Sequence, residues 1–218
     1  MFKSQIRKIL IFTWLLLIIF LSFSFSQELK NLEISKKRVE NYYQNDYEKD
    51  LTRIISKAEK DLDKINLGSK PAIVFDVDET ALSNYAYIKS MGFGYESNLW
   101  NIYLEKADAP AIDQTKKLYE YARQKKIHII FLTGRDSEFY NATLKNLKAA
   151  GYNKFDTLIC KSSRYNQMTA GKYKELERIN LTSEGYQIIM SVGDQESDLN
   201  GQDVGDTIKL PNYMYLTD

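Results

Sequence analysis

From Pro71 onward the chain alternates short apolar runs with helical stretches, and few folds accept that texture. The runs Ala72–Phe75, Ile127–Leu132, Thr157–Ile159, Ile188–Val192 and Thr207–Leu210 have strand length. Between them, Gln114–Gln124, Asp136–Ala150 and Ala170–Thr182 repeat their apolar residues at helical spacing. A strand that is apolar at nearly every position is buried on both faces, which antiparallel edges rarely are. The expected architecture is therefore α/β, with a central parallel sheet between helical layers. In such sheets ligands collect beyond the carboxyl ends of the strands.

Three of these strands run into chemically distinctive residues. The first ends in Asp76-Val-Asp78-Glu79-Thr80, the second in Thr133-Gly134-Arg135-Asp136, and the fourth in Gly193-Asp194-Gln-Glu-Ser-Asp198. Buried carboxylates are costly unless they are paired or hold a cation. Carboxyl ends of parallel strands share one edge, so Asp76, Asp78, Thr133, Asp194 and Asp198 are expected to converge there. Tyr173-Lys174, with Arg178 one helical turn on, lies between the third and fourth strands, and Lys172 is a rival for the same lysine role.

Composition removes several alternatives. With 44% apolar and 27% charged residues over 218 positions, the chain suits one globular core. Three of the 30 basic residues and none of the 29 acidic ones lie in 1–26, which leaves 27 against 29 beyond it. That balance argues against binding to a nucleic-acid polymer through a basic surface. Cys160 is the only cysteine, so no intramolecular disulfide can form, and no zinc site built on Cys or His is supported. His128, the only histidine, lies inside an apolar run and reads as a core residue.

FDVDETALSN, LTGRD, YKELER and GYQIIMSVGDQESDLNGQD together resemble the haloacid dehalogenase (HAD) superfamily, and most closely its secreted acid phosphatase branch: the bacterial class C enzymes and plant vegetative-storage-type proteins. The resemblance runs from about Tyr42 to Leu216 and includes KADAPAI at 106–112. It implies a three-layer Rossmann-like fold with a small cap. It further implies a phosphomonoesterase whose nucleophile is Asp76, which would form an aspartyl-phosphate. In the same reading Asp76, Asp194, Asp198 and the backbone carbonyl of Asp78 hold Mg²⁺, Lys174 balances charge, and Thr133 donates to a phosphoryl oxygen. Thr80, Gly134 and Arg135 complete the phosphate surroundings.

The chemistry needs these residue types. A carboxylate is ionised at mildly acidic pH and attacks without an activating base. Approaching a phosphate dianion at about 4 Å, it meets roughly 8 kcal/mol of repulsion at an effective dielectric near 20, so a cation must offset it. Mg²⁺ takes oxygen ligands and keeps several waters, and needs only a few carboxylates. Asp78, as the acid for the departing oxygen, would have to stay protonated, which requires a raised pKa.

Residues 1–26 carry Lys3, Arg7 and Lys8 ahead of an apolar run, and read as a signal peptide cut near Ser26 or as an uncleaved anchor. Either exports the remainder to the periplasm or the cell exterior, and only this segment would touch a membrane. Residues 27–68 are expected to form a helical extension with a buried stripe at Tyr47, Leu51, Ile54, Ile55, Ala58, Leu62 and Ile65. Residues 69–218 are expected to form the phosphatase domain that the resemblance implies, with a cap at about 84–108 whose Trp100 and Tyr103 are the first choices for stacking on an aryl or nucleotide leaving group. The substrate is then a small phosphomonoester. Two alternatives stay open: a non-catalytic storage or binding protein on the same fold, and a specific 5′-nucleotidase or phosphotransferase. Oligomeric state is open as well.

Overall fold

The computed structural model describes residues 31–217. The expected signal peptide or anchor lies outside the described residues, and among those that are described no helix is long and apolar enough to cross a membrane. In chain order the elements are α1 (Leu32–Asn45), α2 (Tyr47–Leu62), β1 (Pro71–Phe75), α3 (Tyr85–Ser90), α4 (Ser97–Lys106), α5 (Asp113–Gln124), β2 (His128–Asp136), α6 (Tyr140–Ala149), β3 (Thr157–Lys161), α7 (Ala170–Ser183), β4 (Gln187–Gly193), α8 (Glu196–Leu199) and β5 (Asp206–Lys209).

The five strands pair in parallel in the order β3-β2-β1-β4-β5. The chain leaves β1 toward β2 on one side and later returns to β4 on the other. The order therefore reverses at β1, and such a reversal opens a crevice at the carboxyl ends. Alternate residues of each strand feed different cores. Ile73, Phe75, Ile129 and Phe131 pack with Leu118, Tyr119 and the α2 residues, while Ala72, Val74, Ile130 and Leu132 pack with Tyr173 and Leu181 of α7. Both faces are covered, which is why the strand sequences are apolar at nearly every position.

The helical reading of the segment before β1 divides in two. A break at Asp46 separates α1 from α2, and the buried stripe belongs to α2, where Tyr47, Leu51, Ile55, Ala58 and Leu62 are buried at spacings of three and four. Ile54 and Ile65 are only partly buried.

Two local expectations are corrected. β2 continues to Asp136 and α6 begins only at Tyr140 after a short 3-10 turn, because the strand carries an irregularity between Thr133 and Asp136 before it pairs again with Lys161. His128 is not in the core: its side chain is one-third exposed at the open start of β2, and Nδ1 lies 2.6 Å from Asp156 Oδ1.

The segment at 84–108 holds α3 and α4. Glu96 caps α4, its carboxylate accepting from the backbone N–H groups of Asn98 and Leu99. The chain then leaves through Ala107, in left-handed conformation at φ 54°. Buried Asn146 pins this exit to α6, accepting from Ala109 N at 3.2 Å and donating to Ala109 O at 2.7 Å.

Leu118 is fully buried between α5 and the sheet. Leu118→Ala should destabilise the protein by about 2–5 kcal/mol, the range for a leucine truncated in a close-packed core. Urea unfolding checks this, and a loss below about 1 kcal/mol would contradict the packing described.

Candidate active site

β1 delivers Asp76 directly: its N–H donates to Val192 O at 2.9 Å, extending the β1–β4 ladder by one residue. The chain then folds into a tight turn, with Ala81 N and Leu82 N both donating to Val77 O. Glu79 sits inside this turn at φ 53°, a left-handed conformation that a non-glycine residue adopts only when its surroundings enforce it. They do so through the side chain. Glu79 is buried and accepts from Asn84 N at 2.6 Å, Asn84 Nδ2 at 3.1 Å and Tyr215 Oη at 2.7 Å. Burial, followed by the charges of Asp78 and Asp194, pushes its carboxyl up to about 8.

β4 and α8 carry the opposing acids. Asp194 accepts from Thr80 Oγ1 at 3.1 Å on one oxygen, and from Gln195 Nε2 at 2.5 Å and Asn212 Nδ2 at 2.8 Å on the other. Burial and the Asp198 charge push Asp194 up to about 6, against the pull of Asn212 and Gln195. Asp198 closes a capping box, accepting from Gln195 N at 2.9 Å. Glycine is required at 193 because a Cβ there would run into the Asp198 carboxyl. Arg178, fully buried, ties down the following loop by donating to the backbone carbonyls of Asp198, Asn200 and Gln202.

Lys174 reaches the centre from α7. Its ammonium donates to Asp76 Oδ1 at 2.6 Å and to Asp198 Oδ1. Burial alone would lower its pKa, but Asp198 and Asp76 outweigh that and hold it charged. The rivalry is thereby decided: Lys172 points away and pairs with Glu175 at 2.9 Å. For Asp76 burial is the largest effect and raises the pKa, Lys174 opposes it, and Asp198 and Asp194 add to the rise.

Asp76, Asp194 and Asp198, all buried, present oxygens within 4.8 Å of one another. Ionised together they outnumber the single Lys174 ammonium by two charges. Uncompensated buried charge costs several kcal/mol per ion, so the set calls for a cation, and a divalent one balances it. The donor set, oxygens only, suits a hard cation.

Asp78 stands apart from that cluster, and the expectation of a raised pKa is corrected. Burial does push it up, yet Arg135 donates to it through Nε at 2.9 Å and Nη2 at 2.6 Å, Asn84 Nδ2 adds a bond at 2.8 Å, and the carboxyl is held below its ordinary value. The irregular end of β2 is what turns Arg135 inward; its Nη1 also reaches Thr143 at 3.2 Å.

The other expected residues gather around this centre. Thr133 is fully buried, its Oγ1 accepting from Arg135 N at 3.1 Å, whereas Gly134 is exposed with open space where a Cβ would be. In the segment of α3 and α4, Tyr103 stacks on Tyr87 with ring centroids 4.2 Å apart, and Trp100 lies 5.6 Å from Tyr103. Burial raises the pKa of the Tyr103 hydroxyl, with the charges of Glu79 and Asp78 adding to the rise. Sequence reasoning did not single out Asn84, Gln195, Lys209, Asn212 and Tyr215, all of which hold site carboxylates or their backbone. Asn84 lies four residues after the first acidic motif. Asn212 and Tyr215 carry no local signal.

A family model described as HAD superfamily, subfamily IIIB (acid phosphatase) matches residues 21–218. The stem 31 kDa glycoprotein of Glycine max is 39% identical over 147 residues, covering 65% of this chain and 58% of that protein. Acid phosphatase 1 of Solanum lycopersicum is 32% identical over 175 residues, covering 78% of this chain and 69% of that one. The class C acid phosphatase from Bacillus anthracis shares the fold, with a TM-score of 0.70 at 23% identity over 85% of this chain and 86% of the other. The chain spans between 51% and 60% of the length of three Glycine max stem glycoproteins that it matches.

Between its unfolded value near 4.5 and its folded value of about 8, Glu79 holds a proton in the folded protein that the unfolded chain has lost. Its contribution to stability is thus complete below pH 4.5 and is lost as pH rises to 8. Melting of EDTA-treated protein across pH 6–8 should show a falling Tm, and Glu79→Gln should flatten that fall. Equal slopes for the two proteins would contradict this environment for Glu79.

Proposed function

The chain belongs to the acid phosphatases of HAD superfamily subfamily IIIB, and from that premise we propose that it is an exported, Mg²⁺-dependent acid phosphatase that hydrolyses small phosphomonoesters through an aspartyl-phosphate on Asp76. The observation that carries the reading is the buried trio Asp76, Asp194 and Asp198 around Lys174 at the carboxyl edge of the sheet. Export rests on the apolar run that follows Lys3, Arg7 and Lys8.

When bound, Mg²⁺ supplies positive charge that lets a carboxylate approach a phosphate; Asp76, Asp194 and Asp198 would hold it. Asp76 attacks phosphorus, an oxygen–phosphorus bond forms, and the ester oxygen–phosphorus bond breaks. Lys174, donating to Asp76 Oδ1, opposes the burial that raises the Asp76 pKa and orients the carboxylate. Thr133 Oγ1 and the exposed Gly134 backbone face the phosphoryl oxygens. The leaving oxygen needs a proton, and Asp78, ionised beside Arg135, has none of its own. A phosphomonoester has a second pKa of about 6, so at pH 5–6 it brings one proton. Asp78 accepts that proton from the phosphate and passes it to the departing oxygen. In the second half Asp78, again ionised, takes a proton from the water that attacks the aspartyl-phosphate, and Asp76 is released. An acidic working range follows from the substrate's proton rather than from a raised Asp78. The aromatic ladder of Tyr87, Trp100 and Tyr103 offers flat surfaces to an aryl or nucleoside leaving group.

The test is release of phosphate from p-nitrophenyl phosphate and from a 5′-nucleotide at pH 5–6, with Mg²⁺ or EDTA. Turnover should require the metal, and Asp76→Asn should lose activity by at least about 10³-fold. Asp78→Asn should cost about 10²–10⁴-fold, the usual weight of a positioned acid–base group. Folded, Mg²⁺-replete protein with no turnover on a wide phosphoester panel would instead support a storage or binding role.

A further inference from the structure

After β5 the chain does not pack away from the site but crosses it. Leu210 N closes the sheet on Gly193 O at 2.8 Å, and the residues that follow run along the carboxyl edge. Little apolar burial holds this strap: Tyr213 is 60% and Leu216 88% exposed. Its attachments are polar, and three of them end on the acid-bearing loops.

Asn212 Nδ2 donates to Asp194 Oδ2 at 2.8 Å. The amide cannot turn freely, because its Oδ1 accepts from Met214 N at 2.9 Å, which leaves the NH₂ facing the carboxylate. Thr217 N donates to Gln195 Oε1 at 3.1 Å, and Gln195 Nε2 in turn donates to the same Asp194 oxygen at 2.5 Å. Asp194 Oδ2 is thus gripped twice from the strap, once directly and once through Gln195, while Oδ1 takes only the Thr80 hydroxyl. On the other side of the crevice Tyr215 Oη donates to Glu79 Oε2 at 2.7 Å; Asn84 Nδ2 donates to Glu79 Oε2 at 3.1 Å and to Asp78 Oδ1 at 2.8 Å. The strap therefore bridges the loop after β1 and the loop after β4, two elements otherwise joined at the site by Lys174 and by Thr80.

We propose that Asn212 and Tyr215 are positioning residues: Asn212 sets the rotation of the Asp194 carboxylate toward the cation, and Tyr215, acting through Glu79 and Asn84, sets the turn that presents Asp78. This rests on the phosphatase reading above. Hydrogen-bond partners behind metal ligands and reacting groups typically change metal affinity or activity by 10–100-fold when removed. A segment that merely covered the core would change stability alone.

The experiment compares the full chain with Asn212→Leu, which removes the amide at nearly constant volume, and Tyr215→Phe, which removes one oxygen. Three quantities are measured: kcat and KM with p-nitrophenyl phosphate, the Kd for Mg²⁺ by calorimetry, and the Tm of the metal-free protein. Each variant should lose about tenfold or more in kcat with KM within about twofold. Asn212→Leu should weaken Mg²⁺ by about tenfold, and Tyr215→Phe should leave Mg²⁺ binding nearly unchanged. Variants that keep kcat and the Mg²⁺ Kd within about twofold of wild type, with only Tm moved, would overturn the proposal. If Asn212→Leu fails to fold, the kcat of Tyr215→Phe decides it. A wild type that binds Mg²⁺ but turns over no substrate would refute the phosphatase reading; the calorimetric comparison would then decide the Asn212 assignment by itself.

Discussion

The Lys174 ammonium, shared between Asp76 and Asp198, is the interaction on which the rest of the site depends. It brings α7 against the loops that follow β1 and β4, and among the described residues it is the only cation paired with the side-chain carboxylates of the three clustered acids. One positive charge among three carboxylates leaves the cluster short by two, so the folded state is built to be completed rather than to stand alone. Asp78 is settled separately by Arg135, and burial together with the neighbouring acids keeps Glu79 protonated at mildly acidic pH. The deficit is thereby confined to the three acids that face one another.

Sheet topology explains how residues 122 positions apart come to share a cation. Because the strand order reverses at β1, its carboxyl end has β2 on one side and β4 on the other, and each contributes at its carboxyl end: Asp76 after β1, Thr133 toward the end of β2 and Asp194 after β4. Holding the β4 loop in place takes more than topology. Arg178 collects three backbone carbonyls beyond α8, the missing Cβ of Gly193 lets the Asp198 side chain fold back, and the strap after β5 secures Asp194 from outside. The polar groups supporting the acids are thus themselves paired, as a site that must keep its geometry while changing charge requires.

The sheet was legible because its central strands β1, β2 and β4 are buried on both faces along their apolar runs. The acids were legible because carboxylates at the ends of apolar runs need a reason to be there. Lys174 was separated from Lys172 in the sequence only by resemblance; helical direction decides it, since Tyr173 and Lys174 face the sheet while Lys172 faces water. What the sequence hid follows from distance and from competition. Nothing near Asn212 or Tyr215 announces that they will meet Asp194 and Glu79, which lie 18 and 136 residues away. The expected protonated Asp78 failed because burial and like charge were weighed without Arg135, whose inward turn depends on an irregularity in β2 that no local pattern marks. His128 failed for a simpler reason: it opens β2 at the rim of the sheet, where its side chain is still one-third exposed.

The most direct measurement is calorimetric titration of the metal-free protein with Mg²⁺, paired with melting curves of wild type and Asp194→Asn. A cluster short by two charges predicts one Mg²⁺ per chain and, at a hundredfold excess over Kd, about 2.7 kcal/mol of added stability, a Tm rise of several degrees. Asp194→Asn should lose most of that rise. No Mg²⁺ uptake by the wild type, or an equal rise in both proteins, would contradict the claim that the three carboxylates form a site completed by a divalent cation.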